Sequence, residues 1–434
     1  MPPRGFIGAA PFSMKTLTLY LASFLVLSAG SAGVSQRSGY STAAAEQTTA
    51  TLTTRAYVGL IRAHRSDNSS DTVSELAARN SGDVRNAVAS AAQALQTAGE
   101  RLRELRAVEE RWRNGEVEQS KYAALRSSTL KRLEDAVKTI GIDEPLGDVD
   151  RLERDLQGLL RGAIGLHTAI SARSWRAGRD AAVAEHLEFA KVYVRSLAAR
   201  NDDAATGLWC RTAGTLLAAS ERMGDALRTY EQCLEWYPGD AWLQLGRGSV
   251  FESVAMLLAA LPPGATLAHG LDQPPDVDQL SEQAIGHYEM ALKAAPELIE
   301  ARLRLARVLL VRGDAARAAV TLLRDRPNLE TVLRYWASLI AGAVEEARED
   351  YQRAATDYRT ALQLYPKAQS AAIALSRVLA ERLGRREEAL ATLRDSVSAT
   401  VPRTMNDDPW KFYMLGQAWR AADWLREIAE WSRR

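Results

Sequence analysis

The sequence predicts an all-α protein built from tandem helix pairs. Three features carry this expectation. From Tyr57 onward, apolar residues recur at steps of three and four, and no stretch of alternating residues argues for a strand. Three separate segments share one frame of small, aromatic and proline residues. The 14 prolines fall mostly between the helical stretches, where a helical chain tolerates them.

The chain opens on a targeting segment. Leu17 to Leu27 reads LTLYLASFLVL, with Lys15 before it and the small-residue string SAGSAG after it. A basic start, a short apolar core and small residues before a cut describe a secretory signal peptide over residues 1–33. The run is about half of the ~20 residues that a spanning helix needs; an uncleaved anchor is the alternative reading. Met14 opens the more typical signal, which makes residues 1–13 an over-extended start. No cysteine lies near the cut to carry a lipid. Residues 34–54 are rich in Ser, Thr, Ala and Gln and read as a flexible leader. The expected location is periplasmic or secreted.

Residues 55–162 read as an N-terminal helical region, weakly repeat-like. Val84, Val88, Ala91, Leu95, Leu102, Leu105 and Trp112 form one stripe, with Asp83 as N-cap and Asn114-Gly115 as stop. Tyr122, Leu125, Leu133, Val137 and Ile140 form the next, broken by Gly141 to Gly147 with Pro145 between. Leu152, Leu156, Leu159, Ala163, Ile164, His167 and Ile170 resume it. Amphipathic helices joined by short turns pack helix on helix.

The recurring frame follows. It is Ala226-Tyr230-Cys233-Pro238, then Ala284-Tyr288-Ala291-Pro296, then Ala354-Tyr358-Ala361-Pro366. Pro296 and Pro366 stand about two units of ~34 residues apart. Weaker copies carry Gly313-Asp314, Ala318 and Leu322, and Gly384, Ala389 and Leu393. A small residue lets two helices approach, the aromatic fills the gap beside it, and proline ends the second helix. In the first copy Gly224-Asp225 stand close to Ala226, which leaves its turn register open.

This pattern resembles the tetratricopeptide repeat family, in an exported bacterial form. Phe412, Leu415, Gly416 and Trp419 match the spacing of that family's first helix, with Asp408-Pro409 as its N-cap and first-turn proline. The resemblance implies a right-handed superhelical solenoid of antiparallel helix pairs over residues 163–434, with additional N-terminal helices. An insertion at 261–280 and C-terminal capping helices complete the array. It further implies a concave face, lined by the first helix of each pair, that binds a protein or peptide segment. On that register the groove-facing residues are Arg211, Trp242, Arg307, Trp336 and Arg377. Arg and Trp are the types that dominate binding hot spots.

No HExxH, GxxxxGK[ST], CxxC or GxSxG pattern is present. Ser128 and Lys131 make an isolated SxxK on a helix, which reads as surface. Asp148 with Asp150, and Asp276 with Asp278, precede helices, where carboxylates favour the N-terminal dipole. The histidines His64, His167, His186, His269 and His287 show no ligand spacing on one helix face. Cys210 and Cys233 read either as two small buried hydrophobes or as a disulfide. The 55 basic and 54 acidic residues leave no global field to gather nucleic acid or an anionic membrane. The expectation is a non-enzymatic interaction scaffold with no catalytic residue, cofactor or metal. Two alternatives stand beside it. One is a helical ligand-binding or enzymatic N-terminal domain served by the repeats. The other is a structural part of an envelope or secretion assembly.

Overall fold

The computed structural model describes residues 51–67, 70–143, 146–199, 203–261, 276–322, 329–396 and 407–434. The signal peptide, nearly all of the leader and most of the 261–280 insertion lie outside these. Among the described residues there are 18 α-helices and no strand. None of these helices is long and apolar enough to cross a membrane. The chain forms two compact units, one of residues 41–222 with 420–434, the other containing 223–419.

In the first unit, α1 (Thr54–Asp67), α2 (Ser70–Ala78), α3 (Ser81–Arg113), α4 (Gln119–Lys138), α5 (Val149–Arg176), α6 (Asp180–Ala198) and α7 (Asp203–Ala219) follow in order. Helix α5 is the hub. Its apolar stripe widens until nearly every residue from Gly158 to Ser174 is buried, so it can pack against α1, α2, α3, α6 and α7 together. A residue 163 boundary therefore falls inside one continuous helix. Asp148 caps α5, accepting from the backbone N–H of Asp150 and Arg151. Asn80, not Asp83, caps α3; Asp83 instead accepts the Leu52 N–H at 2.9 Å. Helix α4 packs mainly on α3, and Trp112 stacks on Tyr122 near the tip of that hairpin. The chain's last helix, Ala421–Arg433, buries Ala421, Trp424, Ile428 and Ser432 along one stripe. It packs on α1, α5 and α7 of this unit, where the sequence expectation was a cap on the repeats.

The second unit contains α8 (Met223–Trp236), α9 (Ala241–Ala260), α10 (Val277–Ala294), α11 (Ile299–Val311), α12 (Ala315–Thr321), α13 (Thr331–Ala347) and α14 (Tyr351–Leu364). Then come α15 (Gln369–Arg377), α16 (Arg386–Ser396) and the short α17 (Trp410–Tyr413); the last helix is α18. Helices α9 to α16 pack as consecutive pairs, and each pair also contacts the next. An aspartate caps α9, α10, α12 and α14. Gly313, Glu349 and Gly384 supply the left-handed residue in the turn within the last three of these pairs. Glu221 does so ahead of α8, which puts Gly224 inside the helix.

The small-aromatic frame has a direct packing reason. The alanines and tyrosines of all three copies are buried. Tyr288 lies so close to Gly248 on α9 that a Cβ there would sit 2.8 Å from its ring. Tyr358 relates in the same way to Gly342 on α13, at 2.4 Å. The ring occupies space that a larger residue on the neighbouring helix would take.

The chain departs from the repeat pattern at its C-terminal copy. Trp410–Tyr413 makes a single helical turn. Gly416 adopts φ +58°, a left-handed backbone just past this turn. Tyr413, rather than Phe412, is the fully buried residue. Neither Cys210 nor Cys233 is a free thiol.

Candidate functional site

Helix α9 is largely apolar, and its only charged residues are Arg247 and Glu252. Glu252 is 2% exposed and both of its carboxylate oxygens are fully used. Oε2 accepts from the Tyr288 hydroxyl at 2.7 Å and from Arg304 Nη1 at 3.2 Å. Oε1 accepts from Arg307 Nη1 at 3.1 Å and from the Tyr413 hydroxyl at 3.0 Å. Arg304, on α11, has no exposed surface. Its Nε donates to Glu300 one turn earlier at 3.0 Å, and its Nη2 reaches the carbonyls of Tyr413 at 3.2 Å and Gly416 at 2.8 Å. Two carboxylates thus face two guanidinium groups. Buried charge of this size persists only when paired and hydrogen-bonded in this way.

The same surface continues across α13 and α15. Trp336, fully buried on α13, donates from Nε1 to the Pro409 carbonyl at 3.3 Å and meets the rings of Tyr413 and Trp419 edge-on. The Tyr335 hydroxyl donates to Asp408 Oδ1 at 2.9 Å, and the Ser370 N–H and hydroxyl donate to Asp408 Oδ2 at 2.9 and 2.8 Å. Ser253 on α9 donates to the Met414 carbonyl at 2.5 Å. The guanidinium of Arg304 lies 4.2 Å from the Tyr413 ring centre, and that of Arg307 lies over Trp410 and Tyr413. Residues 408–419 therefore lie along α9, α11, α13 and α15, held by main-chain and side-chain contacts alike. Burial first, and Glu252 second, push the Tyr288 and Tyr413 hydroxyls well above their ordinary range. Both stay protonated and can only donate to the carboxylate.

No protein-family model matches the chain, and no curated protein matches it.

The five residues proposed from sequence are not all together. Arg307 and Trp336 both meet Tyr413 of the 408–419 segment. Arg377 on α15 belongs to a neighbouring pair: it donates to Glu346 at 2.7 Å, and Glu346 also accepts from Tyr358 at 3.1 Å. Burial raises the Glu346 carboxyl, and Arg377 opposes that. Trp242 is half-buried at the start of α9, and Arg211 is half-buried on α7 of the other unit. Sequence reading missed Glu252, Arg304 and Tyr413, and named Asp408 only as an N-cap. The available signal was a lone acid in the middle of an apolar helix, with arginines on the helix that follows it.

In the first unit, three of the five histidines lie in the core. The Tyr57 hydroxyl is 2.7 Å from His167 Nε2, and His167 Nδ1 is 2.9 Å from His186 Nδ1. His64 is also buried. Two facing Nδ1 atoms can bond only if one carries the proton and the other does not. Among the described residues, no cluster of three or more histidines, cysteines or acids is arranged to hold a metal ion. Ser128 donates to its own helix at the Leu125 carbonyl, and Lys131 is exposed.

Proposed function

We propose that this protein is an exported, non-enzymatic interaction scaffold of tetratricopeptide type. Its first-helix surface, on α9, α11, α13 and α15, binds a segment of a partner protein. One observation carries the reading: this surface already holds a length of polypeptide, 408–419, that is not part of a helix pair. Donors from these helices reach four of its carbonyls and its one carboxylate. A surface that fixes main-chain carbonyls suits peptide recognition, because those contacts do not depend on the bound side chains. The solenoid geometry and the export signal belong to the same proposal, supported by the Ala-Tyr-small-Pro frame and by the Lys15-to-Gly33 segment.

Two measurements test it. Mass analysis of the mature chain should find a start near Val34; an unprocessed cytoplasmic product removes the export part. A photo-crosslinking residue at Trp242, or at Phe412 within the segment, should capture one envelope protein reproducibly, while the same group at Lys131 on α4 should not. Equal capture at all three positions, or none at any, defeats the scaffold reading.

A further inference from the structure

We propose that residues 408–419 are a resident occupant of the first-helix surface, and that the partner segment binds by displacing them with the same chemistry. That chemistry is a buried carboxylate, a proline and an aromatic directly after it, and a tyrosine about one helical turn further on. This rests on the scaffold reading above and specifies its ligand.

The receptor half is assembled without the segment. Glu252 is held by Tyr288, Arg304 and Arg307, all from α10 and α11, and Arg304 is also held by Glu300. Removing the segment would leave those bonds in place. It would strip the Arg304 guanidinium of two carbonyl acceptors, and Tyr335 and Ser370 of the Asp408 carboxylate. A fully buried guanidinium that loses acceptors is costly. The surface is therefore stable when filled and unfavourable when empty, so exchange for a like segment is favoured over opening.

The occupant half has its own specificity. Asp408 has no exposed surface, and its hydrogen-bond donors are neutral: two hydroxyls, the Ser370 N–H and the N–H of Trp410 within the segment. That set suits one carboxylate with a short stem. The Tyr413 hydroxyl reaches Glu252 on α9. Gly416 lies so close to α9 that a Cβ would meet the Ser249 hydroxyl at 2.8 Å, which restricts the residue three places after the tyrosine to glycine. A tethered segment competes at an effective concentration on the order of millimolar. A free segment of equal intrinsic affinity then binds the intact chain weakly.

The probe is a fluorescent peptide spanning Asp407 to Trp419, titrated against the full chain by anisotropy. In the chain variant Asp408→Ala/Tyr413→Phe, whose own segment is weakened, the peptide should bind at least tenfold more tightly than to wild type. A peptide with Asp408→Ala should lose that gain. If the double variant does not fold by circular dichroism, Asp408→Asn alone serves, with the same direction expected. As a second measurement, excess peptide should speed hydrogen exchange in 408–419 of the wild-type chain and leave α9 and α11 protected. Unchanged affinity in a folded variant, or no change in exchange at saturating peptide, overturns the proposal. Crosslinking at Trp242 that persists alongside those negative results would sink this inference and leave the scaffold reading intact.

Discussion

The Tyr413 hydroxyl donates to Glu252 Oε1 across 161 positions of sequence. The bond joins the middle of a long apolar helix to a single helical turn near the chain's end. Glu252 also neutralises Arg304 and Arg307 in a site with almost no solvent. Glu252→Gln removes the charge but nearly keeps the shape. Two buried guanidinium groups then face only Glu300, and breaking a buried pair by removing one partner costs about 3–5 kcal/mol. Tyr413→Phe loses one charge-assisted hydrogen bond, about 1.5–3 kcal/mol. Urea unfolding followed by tryptophan fluorescence should rank the two in that order. Equal and small effects would mean that the cluster is not a centre of stability.

Gly416 and Gly384 have similar left-handed backbones, at φ +58° and +70°. They differ in surroundings. A Cβ at Gly384 meets nothing, whereas one at Gly416 meets Ser249. Gly384→Ala should cost about 1–2 kcal/mol from backbone strain alone. Gly416→Ala should cost that amount plus a further ~1 kcal/mol or more for overpacking. Adding Ser249→Gly should recover part of the excess at 416 and none of the loss at 384. A matched loss at both glycines would show that Ser249 does not confine the segment.

The tyrosine frame makes a parallel claim about helix packing. Gly342→Ala drives a methyl group into the Tyr358 ring, an overpacking cost of about 1–3 kcal/mol. Tyr358→Leu should be milder for packing but frees the Glu346 carboxylate from its hydroxyl donor. In the double variant the glycine change should cost less than it does alone. Strict additivity in thermal melts would separate the two residues energetically and weaken the explanation given for the repeated tyrosine.

Much of the fold was legible because its determinants are local. Helix stripes, Asn114-Gly115 as a stop, and Asp148 and Asp276 at helix starts all depend on neighbours a few residues away. The Ala-Tyr-small frame exposed the pairing because it repeats. The site was legible only in part. Arg307 and Trp336 were expected to face a groove that takes a polypeptide segment. They do hold a segment, but Arg307 pairs with Glu252 of its own unit, and the segment's acid goes to Tyr335 and Ser370. That choice depends on contacts 38 to 161 positions apart, which no local pattern records. The contact between two histidines was not legible for the same reason. His167 and His186 are 19 positions apart on different helices, so helix-face spacing could not bring them together.

Those imidazoles make the first unit sensitive to acid. Burial is the leading cause that holds His167 well below the ordinary 6.5 and His186 down to about 4; for His186, Glu185 opposes it and Arg179 assists. Both rings are therefore neutral in the folded state at neutral pH. Once unfolded, each returns to about 6.5 and binds a proton below that value. The unfolded chain then holds more protons than the folded one, so stability falls as pH falls. The contribution is complete above pH 6.5 and is lost progressively down to about pH 4 for His186, and further for His167. Each ring contributes a slope approaching 1.4 kcal/mol per pH unit, or about 2 kcal/mol lost by pH 5. Above pH 5 most carboxylates remain ionised in both states, so the window from 6.5 to 5 isolates the histidines. His287, on α10 of the second unit, is lowered to about 4, first by burial and then by Arg247, and follows the same sign there. Unfolding free energies from urea titrations at half-unit pH steps should fall across this window. His186→Gln should flatten the slope by about one proton's worth, even if it lowers stability at pH 7. A wild-type chain equally stable at pH 7 and pH 5 would mean that the Tyr57-His167-His186 chain does not remain neutral, and that its bonds are not those described.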